Sequence, residues 1–317
     1  MVLGFGNRSR KMNSKPLFTP KDLLLFFYLL PFRILAAILP VKMVRRLGGL
    51  VVHTYSLLAI RKRRSIEKRL TLAFQGSRGR RDIQKMANQY VRHAGFKDID
   101  DVILNRLTKE DLLQCSEIKG MENLEAALSA TKGVVLASGH FFANRLGKRL
   151  LSEIGFPVLS VRNNFSLRHP RVGRVASKYL KPFYVNFVNR VIEDYVLIQD
   201  KDCTLKILER LRRNGLVDIH VDAHNSYHLI ERPFLGTKRL FPAGFLRIVY
   251  LTGAAVVPML CTGNSCAFTI IFEEAVEFQE SSDKETFMSG NLPLLLTVLE
   301  SQVMRYPDQW ALWGHNL

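Results

Sequence analysis

Apolar positions recur at three- and four-residue steps from Ser65 to about Leu113. They run through Ile66, Leu70 and Leu72 and then Ile83, Met86, Tyr90 and Val91, and this spacing predicts helices. A stretch rich in Gly, Ser and Arg, Gly76–Arg81, breaks the pattern once. Beyond about Leu113 the period changes. Short apolar runs alternate with amphipathic stretches: Gly133–Ser138, then a helix to about Ile154; Val158–Val161, then a helix from about Pro170; a helix near Thr204–Asn214; Leu216–Val221; a helix near Ala243–Thr252; then Ala254–Cys261 and Phe268–Phe272. Strand runs interleaved with longer helices predict an α/β domain: a layered, parallel-paired sheet with flanking helices. The chain has no internal repeat and no low-complexity segment.

Ahead of the helices lies Leu23–Leu39, seventeen residues interrupted only by Pro31 and Arg33. It is slightly short of the ~20 apolar residues a spanning helix needs. No small-x-small cleavage site follows it, so a removed signal peptide is not expected. Two membrane arrangements fit: a short tilted span with the basic N-terminus inside, or an interfacial helix pair kinked at Pro31 with Arg33 reaching the headgroups. A core helix with a solvated basic face would leave the same pattern. Val41–Ile60 is again apolar and leads into Arg61-Lys62-Arg63-Arg64. The reading therefore divides the chain into a basic, apolar, membrane-associated helical region at 1–60, a helical region at 61–117 and an α/β domain at 118–317.

Charge sharpens this division. The 317 residues hold 46 Lys and Arg against 28 Asp and Glu, a net +18, on a composition that is 47% hydrophobic. That excludes a disordered tail, a collagen-like fibre and a polytopic membrane protein. Residues 1–100 hold 21 basic and 5 acidic residues, a balance of +16, and residues 101–317 hold 25 and 23, a balance of +2. A basic end on a near-neutral globule points to an anionic membrane as partner, where each charge gains ~1 kcal/mol near the leaflet. Nucleic acid is not expected, because the basic residues are interleaved with Leu, Ile and Val rather than with exposed aromatics. Cys115, Cys203, Cys261 and Cys266 form no CxxC and no regular spacing. They read as reduced, mostly buried thiols, compatible with a cytoplasmic setting.

Two segments carry candidate chemistry. Ser138-Gly-His-Phe-Phe-Ala-Asn-Arg145 lies where an apolar strand gives way to a helix, the end of the strand at which ligands collect in open α/β sheets. In Leu216–His224 a period of two puts Asp218, His220, Asp222 and His224 on one face and Val217, Ile219, Val221 and Ala223 on the other. Carboxylate beside imidazole is the general-base pairing. The same residue types ligate metals, and an exposed strand edge would show the same alternation. His220, His224 and His228 also fall at helical spacing, but Asn225-Ser226 interrupts a helix there, and no metal is expected. A third segment, Arg232 to Phe245, reads as a loop followed by a helix with Pro242 near its first turn.

In order, GVVLASGHFFANR, the strand bearing Asp222, PFLGTKRLFPAGFLRIVYLTGAAVVP and the terminal YPDQWALWGH resemble the lipid A biosynthesis lauroyl/myristoyl acyltransferase family, from roughly Ile118 to the C-terminus. The resemblance implies an enzyme on the cytoplasmic face of the bacterial inner membrane. Such an enzyme moves an acyl chain from an acyl-carrier-protein or coenzyme A thioester to a hydroxyl of a lipid or glycolipid, with no other cofactor. His140 falls on the family's catalytic histidine, which is followed after four residues by Asp or Glu; here that place is Arg145. Asp222 falls on the first Asp of a Pro-Asp-x-Asp-type segment, with His224 in place of the second. Arg162 falls on an Arg of a Tyr-Arg-Pro-type segment, and Arg171 and Arg174 are candidates for a further family Arg. The resemblance thus makes His140 the expected general base and Asp222 its carboxylate, with Asp218 as understudy. Arg162, Arg145, Asn144 and Asp218 are the expected substrate-binding residues, and Phe141 and Phe142 would line an acyl groove. Arg145 also opens an alternative, a family member that has lost catalysis and binds lipid.

Overall fold

The computed structural model describes residues 16, 17, 19, 30–163, 173–175, 178, 194–223 and 228–314. Residues 23–29 of the apolar run Leu23–Leu39 and most of the helix expected from Pro170 lie outside the described residues. Helices α1 (Leu30–Ile38), α2 (Val41–Leu58), α3 (Ile60–Phe74) and α4 (Arg80–Ile103) come first. The Gly76–Arg81 break falls between α3 and α4, as its residue types require. Val44, Gly48 and Val52 recur every fourth position of α2 and form its buried stripe. The approach to α4 is close because each helix supplies a glycine: a methyl group on Gly48 would run into Ile99, and one on Gly95 into Val52. Among the described residues no helix is long and apolar enough to cross a membrane.

After the short helix α5 (Lys109–Gln114) comes a seven-stranded sheet with flanking helices. Its strands are β1 (Ser116–Lys119), β2 (Val134–Ser138), β3 (Val158–Arg162), β4 (Tyr195–Leu197), β5 (Leu216–His220), β8 (Ala255–Asn264) and β9 (Ala267–Phe272), in the order β1-β9-β8-β2-β5-β3-β4. The helices are α6 (Met121–Ser129), α7 (Asn144–Glu153), α8 (Cys203–Arg212), α9 (Gly244–Thr252) and α10 (Lys284–Arg305). The expected all-parallel pairing is corrected at one place, since β8 and β9 pair antiparallel. Only Ser265 and Cys266 join them, too short a link for a parallel crossover. Strands β1 and β4 and helices α6 and α10 were not expected. The two strands are only three or four residues long, too short to show a period, whereas α10 buries Phe287, Met288, Leu292, Leu295, Leu296, Leu299 and Val303 at helical steps.

Along β2 and β5 the side chains alternate between two cores. Val135, Ala137, Val217 and Ile219 face one, with Ile66, Leu70 and Leu295; Val134, Leu136 and Leu216 face the other, with Ala36 and Val44. The first core thus joins residues on either side of 117, and the second joins residues on either side of both 60 and 117. The segment read as a loop from Arg232 is instead most of a hairpin, β6 (Leu229–Phe234) and β7 (Thr237–Pro242), paired around Leu235-Gly236. Both turn residues have positive φ, 50° and 73°, as the favoured two-residue hairpin turns demand. Leu235 holds that conformation with its side chain buried and its N–H donating to Glu300. All four cysteines are free; Cys203 and Cys261 are buried, but Cys266 is exposed.

Candidate active site

Strand β2 is central and buried throughout, and it ends at Ser138. The chain then turns through Gly139–Ala143 into α7. A side chain on Gly139 would press on Leu299, on Phe141 and, at 3.3 Å, on a carboxylate oxygen of Asp222. Glycine there lets the turn carrying His140 sit directly against Asp222. Ser138 pairs in register with His220, the last residue of β5, so the two neighbouring strands deliver both histidines to the carboxyl end of the sheet. The expected two-residue alternation stops there: Val221 and Asp222 form a turn, and His224 lies outside the described residues.

Asp222 is fully buried, and its carboxylate is saturated with donors. Oδ1 lies 2.5 Å from His140 Nδ1, while Oδ2 accepts the His140 backbone N–H at 2.8 Å and the Trp310 indole N–H at 2.7 Å. Burial opposes ionisation of this carboxylate, but the His140 charge and its hydrogen bonds outweigh burial and hold it well below the usual range. The reciprocal balance acts on His140. Burial disfavours its charged form, the Asp222 carboxylate outweighs burial, and the imidazole is raised above its ordinary value. The side chain of His140 keeps 34% of its surface exposed. With Nδ1 on Asp222, Nε2 is the nitrogen left for a substrate.

The C-terminal segment straps this turn in place. Ala311 N–H donates to the His140 carbonyl at 2.7 Å, Phe142 N–H to the Gln309 carbonyl at 3.1 Å, and Phe141 bridges Trp310. The strap is itself tied to α4, through the Tyr90 hydroxyl on the Ala311 carbonyl at 2.8 Å and a contact of His93 Nε2 with the Asp308 carboxylate at 3.1 Å. The buried Arg239 guanidinium lies 4.9 Å over the Trp310 ring.

A second cluster lies beneath the histidines. Asp218 is fully buried and accepts from Ser138 Oγ at 2.5 Å and Lys148 Nζ at 2.7 Å, with His220 Nε2 at 3.5 Å. Burial opposes its charge, but Lys148 and His220 more than offset that, and its pKa is strongly lowered. Asp218 is therefore a buried ion-pair partner and not the substrate contact expected of it. Asn144 is likewise buried, its amide donating to the Gly139 carbonyl at 2.5 Å, so it fastens the turn. Phe141 and Phe142 are packed in the core among the described residues. Arg145 makes a 2.8 Å ion pair with Asp101 of α4, which also accepts from Lys97. Arg162 stacks 5.2 Å over Tyr195. Burial, then the charge of Arg145, pulls its guanidinium down to about 10, so the two arginines feel each other. Arg171 lies outside the described residues.

Among the described residues His140, His220 and Asp222 bring one potential ligand atom each within 4.8 Å of one another. His140 Nδ1 and Asp222 Oδ1 stand at 2.5 Å, closer than the roughly 3.3 Å between two donors of a tetrahedral zinc with ~2.0 Å bonds. They are spaced as a hydrogen bond rather than as two ligands. The sequence reading left Lys148, Asp101 and Trp310 out of the site and gave His220, one of its ionisable strand residues, no role there. Trp310 carried one signal, because a buried indole N–H must find an acceptor; which acceptor, 88 residues away, no local pattern gives.

No curated protein matches the chain. A histidine held by a buried carboxylate at the carboxyl end of a mixed α/β sheet agrees with the match of the family model for bacterial lipid A biosynthesis acyltransferases to residues 11–317, and the chain belongs to that family.

Proposed function

We propose that this acyltransferase moves an acyl chain from an acyl-carrier-protein or coenzyme A thioester to a hydroxyl of a lipid A-type acceptor, with His140 as general base. The observation that carries the reading is the Asp222 carboxylate bonded to His140 Nδ1 at 2.5 Å. It supplies what Arg145, paired elsewhere, does not. The acceptor O–H gives its proton to His140 Nε2 as its oxygen attacks the thioester carbonyl carbon. The tetrahedral intermediate then expels the thiolate, which takes the proton from His140, leaving an ester and a thiol. Arg162, whose guanidinium feels the charge of Arg145, would bind an acceptor phosphate or the phosphopantetheine, with Arg145 adding to the positive field there. The test is a reconstituted assay of the full chain: thioester consumed should equal lipid ester formed. Lipid from cells lacking the gene should lack one acylated species, which names the acceptor. Binding of lipid with no thioester turnover would return the chain to the non-catalytic alternative.

The work site of such an enzyme is the cytoplasmic leaflet of the inner membrane. What supports an interfacial mode is the outward face of α1–α3. Leu35, Ile38, Leu47, Leu50, Leu57 and Leu58 are exposed there, beside exposed Lys42, Arg46, Arg61 and Arg64. Binding to anionic vesicles should weaken with salt, and oligonucleotides should not bind. Arg61→Ala with Arg64→Ala should cost roughly thirtyfold in vesicle affinity at ~1 kcal/mol per charge. Equal binding to zwitterionic and anionic vesicles would rule out the electrostatic part.

A further inference from the structure

The mechanism above uses one of two imidazoles. His220 lies edge-on to His140, ring centroids 4.3 Å apart and planes at 84°, with 21% of its side chain exposed. Its Nε2 faces Asp218, and its Nδ1 is bonded to none of the described residues. We propose that His220 is a second substrate-contacting residue, whose Nδ1 accepts a hydrogen bond from a donor on the acceptor lipid and so holds the attacked hydroxyl against His140.

Two imidazoles this close do not both carry the second proton that makes the ring a cation, and the neighbouring charges decide which one does. Asp222 sits 2.5 Å from His140. Asp218 sits 3.5 Å from His220 and spends its charge on Lys148 at 2.7 Å and Ser138 at 2.5 Å. The groups acting on His220 are therefore His140 and Asp222 from the two turns, Asp218 from its own strand and Lys148 from α7. Burial, then the His140 charge, lowers the His220 pKa, so the proton goes to His140. An uncharged imidazole whose Nε2–H faces a carboxylate offers a lone pair at Nδ1. The attacked hydroxyl has one proton, and it goes to His140. His220 must therefore meet a different donor, which assigns the acceptor to lipids with a further hydroxyl or amide N–H beside the attacked hydroxyl.

The inference rests on the acyl-transfer reading, and one kinetic series separates the two. His220→Phe should raise the acceptor KM about tenfold, the worth of one uncharged hydrogen bond, and leave the thioester KM within twofold. His220→Gln, which keeps an acceptor oxygen near the same place, should recover most of the loss. Unchanged acceptor KM in an active His220→Phe enzyme overturns the role of His220 alone; so does a rise of both KM values in step. Should His220→Phe not fold, His220→Leu, which also removes the acceptor nitrogen, takes its place: an unchanged acceptor KM, or a thioester KM raised with it, overturns the role equally. A wild-type chain that transfers nothing overturns both readings together.

Discussion

Asp222→Asn should leave a folded protein with acyl transfer reduced by about 10³-fold, within the 10²–10⁴ that a positioned proton acceptor contributes. The reason is geometric. Oδ2 takes two N–H donors, from His140 and Trp310, so the amide oxygen must occupy that place and its NH₂ must face His140 Nδ1. Nδ1 is then forced to accept, the ring hydrogen moves to Nε2, and the base has no lone pair to offer the substrate. The pH profile gives a second reading. The working form of His140 is neutral, so in the wild type the rate rises with pH through its raised pKa. Removing the carboxylate leaves burial, which lowers that pKa, and the acid limb should move to lower pH. A fully active Asp222→Asn would show that some other carboxylate serves His140.

His140→Ala should lose at least as much turnover, about 10³-fold or more, because it removes the proton acceptor itself. The acceptor and thioester KM values should change little, and no acid limb from an imidazole should remain. The cavity left by the ring borders solvent, since His140 is one-third exposed, so thermal unfolding should stay within a few degrees of wild type. An enzyme in which His140→Ala works normally would end the proposed mechanism.

The two predictions differ in how far the sequence alone supports them. His140 was placed correctly at a strand end, because a run of apolar residues closing at Ser138-Gly139 is a local signal. That Asp222 would meet it came from the family resemblance, whereas the period of two that put Asp222 on a strand in fact ends at His220. The residue arrives through a turn, and the meeting depends on β5 lying beside β2. Asp218 and Asn144 show the converse. Their types suited substrate binding, yet both are buried against Lys148 and the Gly139 carbonyl, because residue type does not record which side of a sheet is closed by a helix.

The sequence by itself determined the helical start, the alternation of strands and helices, and the separation of a basic end from a near-neutral globule. Each of these rests on composition or on periods of two and 3.6, which are properties of neighbouring residues. Tertiary structure alone decided the antiparallel β8–β9 step, the ion pair that turns Arg145 toward Asp101, and the 2.5 Å approach of Asp222 to His140. The His140–Asp222 bond joins residues 82 apart and the Trp310–Asp222 bond residues 88 apart. Contacts at such separations are set by strand order and by the strap that closes over the turn, and a local pattern carries neither.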